Sequence, residues 1–84
     1  MNRAYYENCV ELACELAYKT LSNNQIITKN KIVEIWNLAT DKRPDVPGYW
    51  MTDAMEKWGK QNGYQLMFNT NKHGKRKNVM LVKA

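Results

Sequence analysis

The residues best placed to do chemistry lie near the C-terminal end, in the run Thr-Asn-Lys-His-Gly-Lys-Arg-Lys at positions 70–77. Lys72, His73, Lys75, Arg76 and Lys77 fall together there, between two stretches of alternating apolar residues. Ammonium and guanidinium groups gathered on a turn neutralise phosphates, and they gain from counterion release without a fixed geometry. Such a tip can lie along a phosphate backbone or enter a minor groove, where Arg76 can read groove width. His73 reads as an exposed turn residue within this cluster. Asn71 and Gly74 supply the turn chemistry.

The rest of the charge supports a polyanion-facing end. The net charge of +5 is placed unevenly along the 84 residues. Residues 1–40 balance, with Glu7, Glu11, Glu15 and Glu34 against four bases, whereas residues 41–84 carry nine bases against four acids. No acid follows Glu56. Asymmetry of this kind within one small domain suits a polyanionic partner, although a basic face can also serve solubility alone.

Catalysis is not expected. The single histidine, His73, is not placed to activate a serine or cysteine. No glycine-rich phosphate loop follows a strand, and no cluster has metal-ligand spacing, so neither cofactor nor metal is expected. Cys9 and Cys14 lie five apart on a predicted helix, a poor geometry for a disulfide, and read as small buried hydrophobes. No apolar stretch is long enough to span a bilayer. Residues 1–12 place acids where a secretory leader needs an apolar run, so a cytoplasmic location is expected.

The elements that must position the basic tip follow from periodicity. At 44% hydrophobic and 25% charged, the chain is expected to form one globular domain over residues 1–84. Residues 2–22 read as an amphipathic helix. Arg3, Glu7, Glu11, Glu15 and Lys19 form one stripe on it. Tyr5, Tyr6, Cys9, Val10, Leu12, Ala13, Leu16, Ala17 and Leu21 form a wide core-facing arc. The acidic stripe of Glu7, Glu11 and Glu15 is expected to face solvent or a protein partner. A short β-like run at 25–27 leads to Thr28, an N-cap for a second helix at 29–39 with Ile32, Ile35 and Trp36 on one face.

Two prolines and a glycine make residues 40–48 a loop. A third helix at 49–62 follows, stopped by Gly63. Its apolar group is Trp50, Met51, Ala54, Met55 and Trp58. Its other side offers Tyr49, Thr52, Asp53, Glu56, Lys57 and Lys60, with Gln61 at the edge. Residues 64–69 and 78–83 alternate as the strands of a hairpin, with Tyr64, Leu66 and Phe68 on one face of the first. The fold class expected is therefore α+β: three helices, a short strand between the first two, and a C-terminal β-hairpin.

This element order resembles the winged-helix branch of the helix-turn-helix superfamily over essentially the whole chain. The stretch Gly-Tyr-Trp-Met-Thr-Asp-Ala-Met-Glu-Lys-Trp-Gly-Lys-Gln-Asn-Gly-Tyr-Gln, running into a basic hairpin, is similar to the third helix and wing of small phage and plasmid replication proteins. The long connection between the second and third helices departs from the compact turn of simpler members. The resemblance implies a non-enzymatic DNA-binding protein of a phage or mobile element, acting in transcription regulation or replication. It implies that the third helix enters a major groove, which would give Tyr49, Thr52, Lys57, Lys60 and Gln61 contact with DNA. Two acids against two lysines make that helix a weak reader of bases. Lys29, Lys31, Lys42 and Arg43 are placed for flanking phosphate contacts.

Duplex DNA is the favoured partner, with a monomer or weak dimer expected. A protein-binding adaptor or inhibitor is the first alternative. A single-strand binder is the second, and it would need exposed aromatics beside the lysines. Tyr49 and Tyr64 are the candidates for that stacking role.

Overall fold

The structure is a computed structural model and describes residues 2–39 and 47–84. Lys42, Arg43 and most of the expected 40–48 loop lie outside these described residues. The described part is α+β, with helices α1 (Arg3–Thr20), α2 (Lys29–Ala39) and α3 (Gly48–Gln61) and strands β1 (Ile26–Thr28), β2 (Tyr64–Thr70) and β3 (Arg76–Lys83). The strands form one antiparallel sheet in the order β1-β3-β2.

Local chemistry accounts for most boundaries. The Asn2 side chain accepts from the Ala4 and Tyr5 N–H groups and starts α1. The helix ends at Thr20, short of the expected residue 22, because Leu21 is already extended. Asn23 and Asn24 then bind nearby backbone, Asn23 accepting from Gln25 N–H and Asn24 donating to the Tyr18 carbonyl. Thr28 Oγ1 accepts from Lys31 N–H at 3.1 Å and caps α2 as its sequence position suggests. Gly63, at φ 79°, follows the last residues of α3 as a left-handed stop.

The contact face of α1 is narrower than its periodicity implies. Tyr6, Cys9, Val10, Ala13, Cys14 and Ala17 are buried. Tyr5, Leu12 and Leu16, expected in the core-facing arc, are exposed instead, Leu12 at 66%. The small side chains of Ala13, Cys14 and Ala17 decide this, since they let neighbouring helices approach where leucines would hold them apart. Against this stripe α2 brings Ile32 and Trp36, and α3 brings Met51, Ala54, Met55 and Trp58. Tyr6 meets the Trp36 ring edge-on at 4.8 Å and the Trp50 ring at 5.8 Å.

Strand β3 is the centre of the sheet and supplies Val79 and Leu81 to the core. Full burial of a side chain such as Leu81 contributes about 1.5–3 kcal/mol. Tyr64 closes the other end of the core. It is buried, and its hydroxyl donates to the Asn24 carbonyl at 2.6 Å, so it is not a surface stacking platform.

The hairpin is not regular along its length. The register shifts by one between Met67↔Met80 and Asn69↔Lys77, so Asn78 and Val79 oppose Phe68. Asn78 takes φ 54°, the left-handed conformation that permits the bulge. The bulge breaks the simple alternation of β2 and leaves Phe68 39% exposed, although Leu66 on the same face is partly buried. An Asn78→Val variant, forced into a conformation that costs a β-branched residue about 1–2 kcal/mol, should melt roughly 4–16 °C lower. Asn78→Gly should melt no lower than the parent. Equal melting of the valine variant in a thermal scan would show that the bulge does not constrain the hairpin.

Candidate functional site

The basic hairpin and the two shorter helices meet along one open groove. Its inner part is a cleft of about 610 Å³ where Lys75 of the turn and Arg76 at the start of β3 face Gly48 and Tyr49 of α3. Its outer part is a cleft of about 530 Å³ between the hairpin and the start of α2, edged by Lys77, Asn69 and Asn30. Lys29, Arg76 and Val79 line both parts, which makes them continuous. Four bases thus border the groove from two elements, and no acid is ion-paired to any of them among the described residues. Pro47 offers no side-chain acceptor at the start of α3, so the helix end adds partial positive charge to the same place.

The hairpin tip is built as a closed turn. Asn71 Oδ1 accepts from the N–H groups of His73 and Lys75, each at 2.9 Å. The Asn71 N–H donates to the Lys75 carbonyl, and Gly74 at φ 80° donates back to the Asn71 carbonyl. These four bonds give the turn that Asn71 and Gly74 suggest in the sequence, and they fix the path of the chain and so the places of Lys75, Arg76 and Lys77. Lys72 and His73 are exposed at the apex, beyond the groove lining.

The expected site residues on the helices divide. Tyr49 is 59% exposed and stands at the groove edge. Thr52 also borders the cleft but is only 5% exposed, and its hydroxyl donates to the Tyr49 carbonyl. The helical wheel groups it with the outward residues of α3, whereas the structure buries it. Lys57, Lys60 and Gln61 are exposed on the later turns of α3, away from the groove lining. Lys57 approaches Glu11 at 3.9 Å, and Lys31 pairs with Glu34 at 3.4 Å. The acidic stripe of α1 is therefore partly turned toward α3: Glu7 binds Arg3, Glu11 faces Lys57, and Glu15 remains half-buried near Leu12 and Trp58.

Arg3 is a functional candidate that periodicity alone does not show. Its Nε donates to Glu7 at 2.6 Å and its Nη2 to Asp53 at 3.0 Å. Its guanidinium also lies over the Tyr49 and Trp50 rings, 5.7 and 5.6 Å from their centroids. The Glu7 hydrogen bond foremost, with the Asp53 contact, pushes the guanidinium pKa further up, so its charge is permanent. Pairs this exposed are screened by solvent and add little to the stability of a fold. Their larger consequence is electrostatic, because Asp53 lines the cleft and Arg3 offsets its charge. Arg3 and Asp53 are fifty residues apart, beyond any local pattern. Phe68 is the other addition. The Arg76 guanidinium sits 4.3 Å from its ring centre, a stack that the bulge makes possible.

The buried cysteines have no part in this site. Cys9 and Cys14 are both free thiols in the core. Burial, with the charges of Glu11 and Glu15 adding, pushes the Cys14 thiol up to about 12, which suppresses the thiolate. Among the described residues no helix is long and apolar enough to cross a membrane. No protein-family model, curated protein or solved structure matches this chain.

Removing Arg3 should weaken retention of the protein on a generic polyanion such as immobilised heparin. The loss should be roughly two- to fivefold in affinity, the size of one exposed charge pair. Adding Asp53→Asn to Arg3→Ala should recover most of it. A double variant that elutes with the single variant would show that Asp53 does not act on the groove.

Proposed function

We propose that this chain is a small non-enzymatic DNA-binding module of winged-helix type, with the β2–β3 hairpin as its wing. The observation that carries the reading is the groove. Lys75, Arg76 and Lys77 on the hairpin and Lys29 on α2 border one continuous channel that ends at the exposed start of α3. A row of bases along an open channel suits a phosphate backbone, because each contact releases counterions and none requires a deep pocket. The element order supports the same reading. Three helices and an antiparallel sheet ending in a basic hairpin are the parts a winged helix needs.

Backbone contact dominates this proposal over reading of base edges. The outward residues of α3 beyond Tyr49 include Asp53, already paired, and Glu56, and Thr52 is buried. Gln61, the neutral amide that could read an adenine edge, lies at the far end of the helix. The role proposed is in transcription control or replication of a phage or other mobile element, on the strength of the winged-helix resemblance.

A protein partner is a second reading, favoured by the exposed Tyr5, Leu12 and Leu16 on α1, on an element that does not line the groove. The two readings separate under salt. Binding to a labelled duplex should weaken steeply between low and moderate salt, with a log–log slope that shrinks by about 3 when Lys75, Arg76 and Lys77 become Ala. An unchanged slope would remove the hairpin from the interface. Absence of binding to any nucleic acid at low salt would leave the protein-partner reading.

A further inference from the structure

The groove offers more than charge, since the Tyr49 ring borders it and one of its lining bases, Arg76, stacks on the Phe68 ring. Tyr49, on the first turn of α3, is 59% exposed and borders the cleft. Arg3 lies over this ring and positions it beside Lys75 and Arg76. Phe68, on the hairpin, is 39% exposed and carries the Arg76 guanidinium at 4.3 Å. Arg76 lines the groove beside Tyr49 and stacks on Phe68, so both rings neighbour the same base. The other large aromatics of α3 and β2 are spent differently, with Trp58 and Tyr64 buried against each other at 5.3 Å.

We infer that the nucleic acid held in this groove carries at least one unpaired base, which stacks on Tyr49, with the Phe68–Arg76 pair as a second platform. This rests on the DNA-binding reading above and narrows its ligand. Stacking needs an exposed base face, which a paired and stacked duplex interior does not present. It tolerates any base, because every base has a π-face. The scarcity of neutral hydrogen-bonding side chains on the outer face of α3 fits such a ligand. A duplex reader would spend that face on base edges, whereas a channel for a splayed strand needs bases along the backbone and rings beneath the nucleotides. The ligand class is therefore a single strand, or a duplex with an unpaired end or gap, rather than an intact blunt duplex.

The test compares three DNA ligands of matched length by fluorescence anisotropy at two salt concentrations: a blunt duplex, the same duplex with a short single-stranded tail, and a single strand. The parent should prefer the two ligands with unpaired bases. Tyr49→Ala should lose roughly 5- to 150-fold on those two ligands, the range for one stacked base, and less than about twofold on the blunt duplex. Tyr49→Phe, which keeps the ring, should bind like the parent. Phe68→Ala should show a smaller loss with the same ligand dependence, and circular dichroism checks that each variant is folded. Tyr49→Ala binding all three ligands as the parent does, or losing equally on all three, would overturn the stacking inference while leaving DNA binding in place. A parent that binds none of the three would overturn both.

Discussion

Helix α3 lies on the sheet at Gly59, where the space that a Cβ would fill is 2.9 Å from a Leu81 methyl and 3.3 Å from Tyr64 Cβ. That close approach sets the distance between the helix and the central strand. It lets Trp58 and Tyr64 pack ring against ring, and it places Leu81 beneath the helix with no exposure. Because β3 carries both Leu81 and, further toward its start, Arg76 and Lys77, the same docking fixes where the hairpin's bases stand relative to the other end of α3. A helix held farther off by a larger residue would shift Tyr49 and Gly48 from the cleft they share with Lys75 and Arg76. The groove is thus a consequence of core packing at its opposite end.

Electrostatics then decides what the groove can hold. Asp53 would oppose a phosphate if left alone, and Arg3 crosses from α1 to pair with it. Glu7 and Glu11 are drawn toward Arg3 and Lys57, away from the groove. The chain therefore separates its charges by fold as well as by sequence. Acids are mostly matched along the α1–α3 seam, and bases are left along the hairpin and the start of α2. In such an arrangement even exposed charges matter, since a channel bordered mainly by bases, with its one acid paired to Arg3, concentrates a polyanion from solution.

Much of the architecture was legible because local signals agreed. Thr28 as a cap and Gly63 as a stop act over a few residues, and each is found where the sequence places it. What escaped depended on distance or on size. The arc that polarity defines on α1 is wider than the buried face, because helix approach is ruled by volume, and Ala13 and Ala17 are buried where Leu12 and Leu16 are not. Thr52 groups with the outward residues on the wheel of α3, yet it is buried at the edge of the cleft. Phe68 followed the alternation of β2 until the bulge at Asn78 broke it. Of the site, the basic cluster at 72–77 was plain in the sequence. Its meeting with Lys29 and Tyr49, and the Arg3–Asp53 pair, required the tertiary fold.

On the function proposed above, the groove between hairpin, α2 and α3 is the surface that meets nucleic acid. Amide chemical-shift mapping on isotopically labelled protein, titrated with a short oligonucleotide, tests it most directly. The largest changes should fall at Lys29, at Gly48 and Tyr49, and at Lys75 to Lys77, with little change along Leu12 and Leu16. Changes concentrated on the outer face of α1, with the groove amides unmoved, would contradict it.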